Sequence, residues 1–304
     1  MHPPAQIFEK IVSKPRLDSY KGYWKVDADK AIGLYIWNGE ICAEVSKLLC
    51  YFEISLRNSI HRELSLNTTR QVSSSAHWWD TLSPSLKPTT RQRVADVRSA
   101  VPHMVLSPDE IVSRLSFGFW PNILSWLAKQ RTGLMPKILP AHPLSVPGAT
   151  PNWWQAPARQ RALDEIFELK EVRNRIAHHE PLWKFSDVFD TSPQQPTPPS
   201  LVCPASNDEA TTLQRFARLL QVYDQAVSSL SPDLHAYIRA SSWRARLDFL
   251  LSPRGLERYK NGLHVVEPAA ITPEELGGQF ATLVQQNRPV RLLDVNGGGI
   301  FIPA

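Results

Sequence analysis

Between Glu171 and Trp183 the chain reads E-V-R-N-R-I-A-H-H-E-P-L-W, which gathers Arg173, Asn174, Arg175, His178, His179 and Glu180 within ten positions. A guanidinium offers a planar fork of donors that matches a phosphate, and an imidazole exchanges its proton near neutral pH. Arg173 or Arg175 can therefore hold a phosphate while His178 or His179 moves a proton. Cleaving RNA without a metal requires these groups: a base for the ribose 2′-hydroxyl, an acid for the leaving oxygen, and cationic donors for the charge that grows on the phosphate.

Spacing sets a condition on that chemistry. Arg173 and His178 are five apart, so an ideal helix with ~3.6 residues per turn points them about 140° from one another, whereas Asn174 and His178, four apart, share a face. Arg173 and His178 converge only if the arginine stem wraps round, if the helix distorts before Pro181, or if a second copy completes the site. The last route makes a homodimer part of the expectation. The same residues also suit a plain helix end, where cationic side chains meet the negative end of the dipole and its free carbonyls. His179-Glu180 opens the zinc pattern H-E-x-x-H, but position 183 is Trp183, so no metal and no other cofactor is expected. Glu180 is left either to orient a histidine or to be a solvated carboxylate.

The motif must ride on a helix. Leu163, Ile166, Leu169, Val172 and Ile176 recur at helical spacing over about 158–178, and Pro181 follows. A second, longer helix is predicted from Ala28 to about Leu66, with Ile41, Val45, Leu48, Leu49, Phe52, Leu56, Ile60 and Leu64 as its apolar stripe. Arg57 and His61 share a face beside that stripe; with Asn58 they suit either RNA contact or a buried polar network bracing the long helix against the motif helix. Ser107-Pro108-Asp109-Glu110 is a helix start. The helix it opens carries L-S-F-G-F-W, with Phe117, Phe119 and Trp120 read as core, and should kink or stop at Pro121. Further helices are expected over Thr89–Val101 and Asp208–Leu230.

Other stretches read as irregular. Residues 1–28 form an arm with one short helix around Phe8–Val12, 67–90 a loop pinned by Trp78-Trp79, 133–157 a six-proline loop around Trp153-Trp154, and 186–206 an exposed Pro-rich linker. The tail changes character: Trp243-Arg244-Ala245-Arg246 reads as a solvated basic face. Thr272-Pro273-Glu274-Glu275 starts a short helix, and two apolar runs flank a Gly-rich turn at Gly297-Gly298-Gly299 as a β-hairpin. The expected fold class is therefore mainly α, with residues 1–235 as a helical domain and 236–304 as a small α+β appendage, divided near Leu234–Ser242.

Three segments together resemble a known family. R-N-R-I-A-H at Arg173–His178 is similar to the R-N-x-x-x-H signature of HEPN ribonucleases, and its extension to Trp183 resembles the Abi-like (AbiD/AbiF type) abortive-infection proteins. F-E-I-S-L-R-N-S-I-H at Phe52–His61 looks like that family's first-helix segment, and L-S-F-G-F-W at Leu115–Trp120 its aromatic midsection. The resemblance spans about residues 30–185 and implies a HEPN-type helical bundle, action in bacterial defence against phage, and metal-independent RNA cleavage leaving a 2′,3′-cyclic phosphate. Carried over by position, it implies Arg173 and His178 as catalytic residues with Asn174 organising them. Arg57, Asn58 and His61, with Arg175, His179 and Glu180, become RNA-binding or auxiliary. An antitoxin or a regulatory RNA is a further partner of that kind of system.

Bulk properties agree without deciding. A net charge of +5 and a pI of about 9.1 favour an acidic partner. Cys42, Cys50 and Cys203 show no metal spacing and read as buried small hydrophobes in a reducing cytoplasm. No leader-like start and no apolar run of ~20 residues argue against export and against a membrane. Two rivals remain open: a non-catalytic RNA-binding or protein-interaction module of a defence or toxin–antitoxin system, and a target whose motif a partner enzyme modifies with a nucleotide.

Overall fold

The computed structural model describes residues 5–190, 199–265, 270–287, 289–294 and 297–303. Its axis is α3, Ala28–Leu64, a 37-residue helix started by Asp27, whose side chain accepts from the Lys30 amide at 2.9 Å. At about 1.5 Å per residue it runs roughly 55 Å. The predicted stripe from Ile41 to Leu64 is buried, and Ala31, Ile32, Leu34 and Trp37 extend it towards the N-terminus.

Two helices precede α3: α1, Ala5–Val12, and α2, Lys14–Trp24. The expectation of an irregular arm is corrected here. Pro15 sits in the first turn of α2, where no amide is needed, and Leu17, Tyr20 and Trp24 give the helix a buried face against α3. Beyond α3 the chain makes a π-turn at Ser65–Thr69. It then forms the one-turn α4, Trp78–Leu82, with both tryptophans buried, and α5, Pro88–Ser99. The α6 helix, Pro108–Arg114, carries the predicted capping box in full, Ser107 accepting from the Glu110 amide and Glu110 from that of Ser107. It stops early. The break falls at Leu115–Gly118, and Pro121 lies in the first turn of α7, Phe119–Gln130, so it does not end a helix. Phe117, Phe119 and Trp120 are core.

The proline-rich stretch after α7 contains α8, Met135–Ile138, and buries Trp153 while leaving Trp154 exposed. The motif helix α9 spans Ala156–Ala177 and packs on α3, α7 and α10, Glu209–Leu230. Between α9 and α10, β1 (Val188–Phe189) pairs antiparallel with β2 (Leu201–Cys203), so the flanks of the supposed linker are joined; Pro193, Pro196 and Pro198 lie outside the described residues.

Three short helices follow: α11, Pro232–Arg239, α12, Ser242–Leu250, and α13, Pro253–Lys260. They do not begin a separate core, because α12 and α13 lie on α3, Leu247, Leu250 and Leu256 join its apolar cluster, and Trp37 donates to the Leu250 carbonyl at 2.7 Å. The basic segment is corrected in part: Arg246 is exposed as expected, but Arg244 is not. Arg244 is 1% exposed, paired with Asp224 at 2.7 Å and Asp248 at 3.0 Å, and Arg246 binds Glu40. The appendage proper is β3 (Ala270–Ile271), α14 (Pro273–Gln286), β4 (Val290–Asp294) and β5 (Gly297–Phe301), in sheet order β3-β4-β5. The hairpin is present, but its glycines lie in β5 and not in the turn. A Cβ on Gly298 would stand 2.6 Å from Leu293 Cδ2 and 2.9 Å from the Leu292 carbonyl, closer than any side chain tolerates. Of the cysteines, Cys50 is exposed and the others are half-buried.

Two outcomes follow from the packing. Asp224→Ala leaves Arg244 buried with fewer partners and should cost roughly 3 kcal/mol, read as a lowered midpoint in urea unfolding. His142, whose Nδ1 accepts from the Leu144 amide, is pushed by burial down to about 4 from an ordinary 6.5. Its folded state therefore binds fewer protons, and stability present above pH 6.5 should fall away as pH drops towards 4. His142→Asn keeps an acceptor and removes the titration, so it should flatten that part of the stability profile.

Candidate functional site

The end of α9 is built as a hydrogen-bonded turn. His178 is the C-cap, and His179 takes the left-handed conformation at φ 54°. The His179 amide donates to the Ile176 carbonyl at 3.0 Å and the Glu180 amide to the Arg175 carbonyl at 2.8 Å, the paired bonds of a Schellman end. Glycine is the usual residue at that φ; histidine tolerates it better than most. Neighbouring elements lock the turn. Arg175 donates to the Pro181 carbonyl and lies 3.8 Å from Glu180, Arg16 of α2 donates to the His179 carbonyl at 3.2 Å, and the Leu182 amide donates to Asn38 of α3 at 2.8 Å. Trp183 is fully buried, its ring 5.0 Å from Tyr20, 4.4 Å from Tyr23 and 5.7 Å from Trp24. The final tryptophan of the motif is thus an anchor, and α2 is what it anchors to.

This construction sorts the candidate residues. Arg175, His179 and Glu180 build the turn. Burial depresses Arg175 below the ordinary arginine range, against the opposing pull of Glu180. His178 is exposed at the C-cap, with no side-chain hydrogen bond among the described residues, and Asn174 stands one turn behind it, half-buried. Arg173 is half-buried towards α3, where Glu53 lies in its field and in that of Arg57. Burial raises Glu53 above the usual carboxylate range, and the two guanidinium groups oppose that rise. Helix α9 remains regular through Ala177, and among the described residues no hydrogen bond joins Arg173 to His178.

The first-helix candidates divide. Arg57 stands near the Glu53–Arg173 group, with its Nε buried and unpaired. Asn58 is exposed. His61 is elsewhere: the motif turn lies against Asn38 and Cys42, 19 residues before His61, which at about 1.5 Å per residue puts this imidazole ~28 Å further along α3. It is 3% exposed, accepts at Nδ1 from Trp78 at 2.8 Å, lies over Trp79, and points Nε2 at Asp109, 3.6 Å away. Its polar network therefore braces the Trp78-Trp79 helix and not the motif helix. Burial lowers its affinity for protons, against the pull of Asp109.

Sequence reading missed two contributors, Asn38 and Glu53. Glu53 had a signal, since it precedes Arg57 by four on the same face; Asn38 had none, because its partner amide is 144 residues away. Beneath the turn a cleft of about 320 Å3 is lined by Arg16, Tyr35, Cys42, Ser46 and His179. Among the described residues no group of His, Cys, Asp and Glu is placed to hold a metal, and no helix is long and apolar enough to cross a membrane. No family model, no curated protein and no solved structure matches this chain.

The roles of the turn residues are separable by stability. His179→Gly relieves the left-handed strain and should leave the protein as stable or up to about 1 kcal/mol more stable. Arg175→Ala strips the Pro181 carbonyl of its donor and should cost roughly 1–3 kcal/mol. Thermal unfolding of the two variants would measure both, and equal losses would mean that the turn is not held in this way.

Proposed function

We propose that the end of α9 is the active centre of a metal-independent endoribonuclease of the HEPN type, acting in bacterial phage defence, with His178 as general acid or base, Arg173 holding the scissile phosphate and Asn174 organising the pair. The observation that carries this reading is the division of labour in the motif. Arg175 through its side chain, and His179 and Glu180 through their backbone, are engaged in the capping turn, which holds the exposed His178 out to solvent on a backbone fixed from three sides, with the exposed His179 beside it. A turn built only to end a helix does not need its C-cap residue to be a histidine, since any residue in that conformation supplies the same backbone bonds.

The resemblance of three segments to Abi-like proteins supplies the biological setting. The regular course of α9 through Ala177, with Arg173 drawn towards Glu53, favours the dimeric version, in which the arginine of one copy serves the histidine of the other. Arg57 then steadies Glu53 and, through it, Arg173. RNA is the substrate and a cytoplasmic site of action goes with it. An antitoxin or regulatory RNA would act by covering this turn.

His178→Ala should lower cleavage of RNA by about 10²-fold or more, and Arg173→Ala by roughly 10²–10³-fold, with little change in thermal stability because both groups lie outside the apolar core. Cleavage should persist in chelator and leave 2′,3′-cyclic phosphate ends. Undiminished cleavage by purified His178→Ala protein would remove the assignment. RNA binding that is lost in the Arg173/His178 double variant, with no cleavage by the wild type, would favour the non-catalytic module instead.

A further inference from the structure

Opposite its buried apolar stripe, helix α7 presents Asn122, Ser125, Trp126 and Lys129 at the spacing of a single helical face. It faces the start of α5, and between them lies a cleft of about 250 Å3 lined by Lys87, Thr89, Arg93, Asn122, Trp126 and Lys129. No carboxylate lines it. Among the described residues Lys87, Arg93 and Lys129 form no ion pair, although 19 such pairs occur elsewhere in the molecule. Trp126 is half-buried, fixed by donation from Nε1 to the Ser85 carbonyl at 3.0 Å, with the Arg131 guanidinium 6.0 Å from its ring.

The cleft leads towards the motif. Arg93 and Lys170 of α9 converge over Gly118, where a Cβ would meet Lys170 Cε at 3.4 Å and Arg93 Nη1 at 3.8 Å. Lys170, Asn174 and His178 are spaced by four along α9 and share one face, so Lys170 begins a stripe that ends at the proposed active histidine about 12 Å away. Lys170 pairs at 2.9 Å with Glu171, an exposed carboxylate whose hold is weak in water. Another face of the same helix has the opposite character. Asp164, Glu165, Glu168 and Glu171 line a cleft of about 400 Å3 with Asp187 and Asp190, against two arginines. The net charge of +5 is therefore unevenly distributed around α9, and a polyanion is drawn to one face and repelled from the other.

We infer that the cleft between α5 and α7 is a binding track for single-stranded RNA, whose phosphates are held by Lys87, Arg93 and Lys129, with a base against Trp126, and whose chain passes Lys170 to reach His178. Unpaired cations interleaved with an aromatic plane are the elements by which grooves bind single strands without reading their sequence, over ~4–16 nucleotides. The inference rests on the ribonuclease reading for the destination of the strand, but not for the existence of the track.

The test is binding of a labelled single-stranded oligoribonucleotide, followed by fluorescence anisotropy in a salt series. The protein is the His178→Ala variant, which keeps the RNA intact, compared with the same protein carrying Arg93→Gln and Lys129→Gln. Each lost phosphate contact removes ~0.7 from the slope of log affinity against log salt, so the double change should flatten the slope by about 1.4 and weaken binding about tenfold at low salt. Lys87→Gln alone should flatten it by about 0.7. All three side chains are exposed, and unchanged thermal unfolding would confirm that the folded protein is being compared. Unaltered slope and affinity in both variants would overturn the track, as would polyglutamate competing as well as RNA of equal charge, which would make the ligand an acidic polypeptide. A flattened slope with a wild type that does not cleave would sustain the track and remove the nuclease.

Discussion

Burial of α3 on several sides is the constraint from which the rest of the molecule follows. A helix sheathed by α2, α7, α9, α10, α12 and α13 keeps an exposed strip, but the polar residues on its buried faces are cut off from water and several find a partner on another element. Asn38 meets the Leu182 amide, Ser59 the Ile138 carbonyl, and Glu44 the side chain of Arg246. These bonds fix where each sheathing element sits along the axis, because a shift by one turn would strand a buried donor or acceptor. Removing such a partner costs more than the bond is worth, so the arrangement specifies position more than it adds stability.

The candidate site inherits its rigidity from this axis. The exit of α9 is tied to α3 through Asn38, to α2 through Arg16 and Trp183, and to itself through Arg175. A histidine at an exposed helix end would ordinarily sample many positions as the terminus frays. Here the backbone that bears His178 is held on both sides, which is what a proton-transfer group needs if its reach is to be set by its own two torsions and not by a moving loop. The His61 cluster shows the same economy at the other end of α3, where an imidazole serves as a buried acceptor for Trp78.

Charge is arranged with comparable economy. In the most basic stretch of the tail Arg244 is buried and neutralised by Asp224 and Asp248, and the exposed Arg246 is paired with Glu40, whereas Lys87, Arg93 and Lys129 on and beside α5 and α7 line a cleft without a carboxylate. A pI near 9 says nothing of this distribution. Two segments of similar basic composition have opposite fates because one is packed against acidic residues of α10 and α3 and the other is not.

Local pattern determined the mainly helical class, the extents of α3, α9 and α10, the helix starts at Ser107 and Thr272, the core role of Phe117, Phe119 and Trp120, and the C-terminal hairpin. These are legible because helical periodicity, caps and turn residues act over a few positions of chain. What depended on distant partners was not. The sequence could not show that Arg244 is buried beneath Asp224, that α12 and α13 belong to the α3 core, or that Pro15 and Pro121 open helices. It also could not show that the Arg175 side chain and the His179 backbone hold the turn. Six reactive side chains within ten positions look alike in sequence; the fold leaves Arg173, Asn174 and Arg175 half-buried and His178, His179 and Glu180 exposed, on a turn whose backbone is held by Arg16 of α2 at the His179 carbonyl, by Asn38 of α3 at the Leu182 amide and by Arg175 at the Pro181 carbonyl.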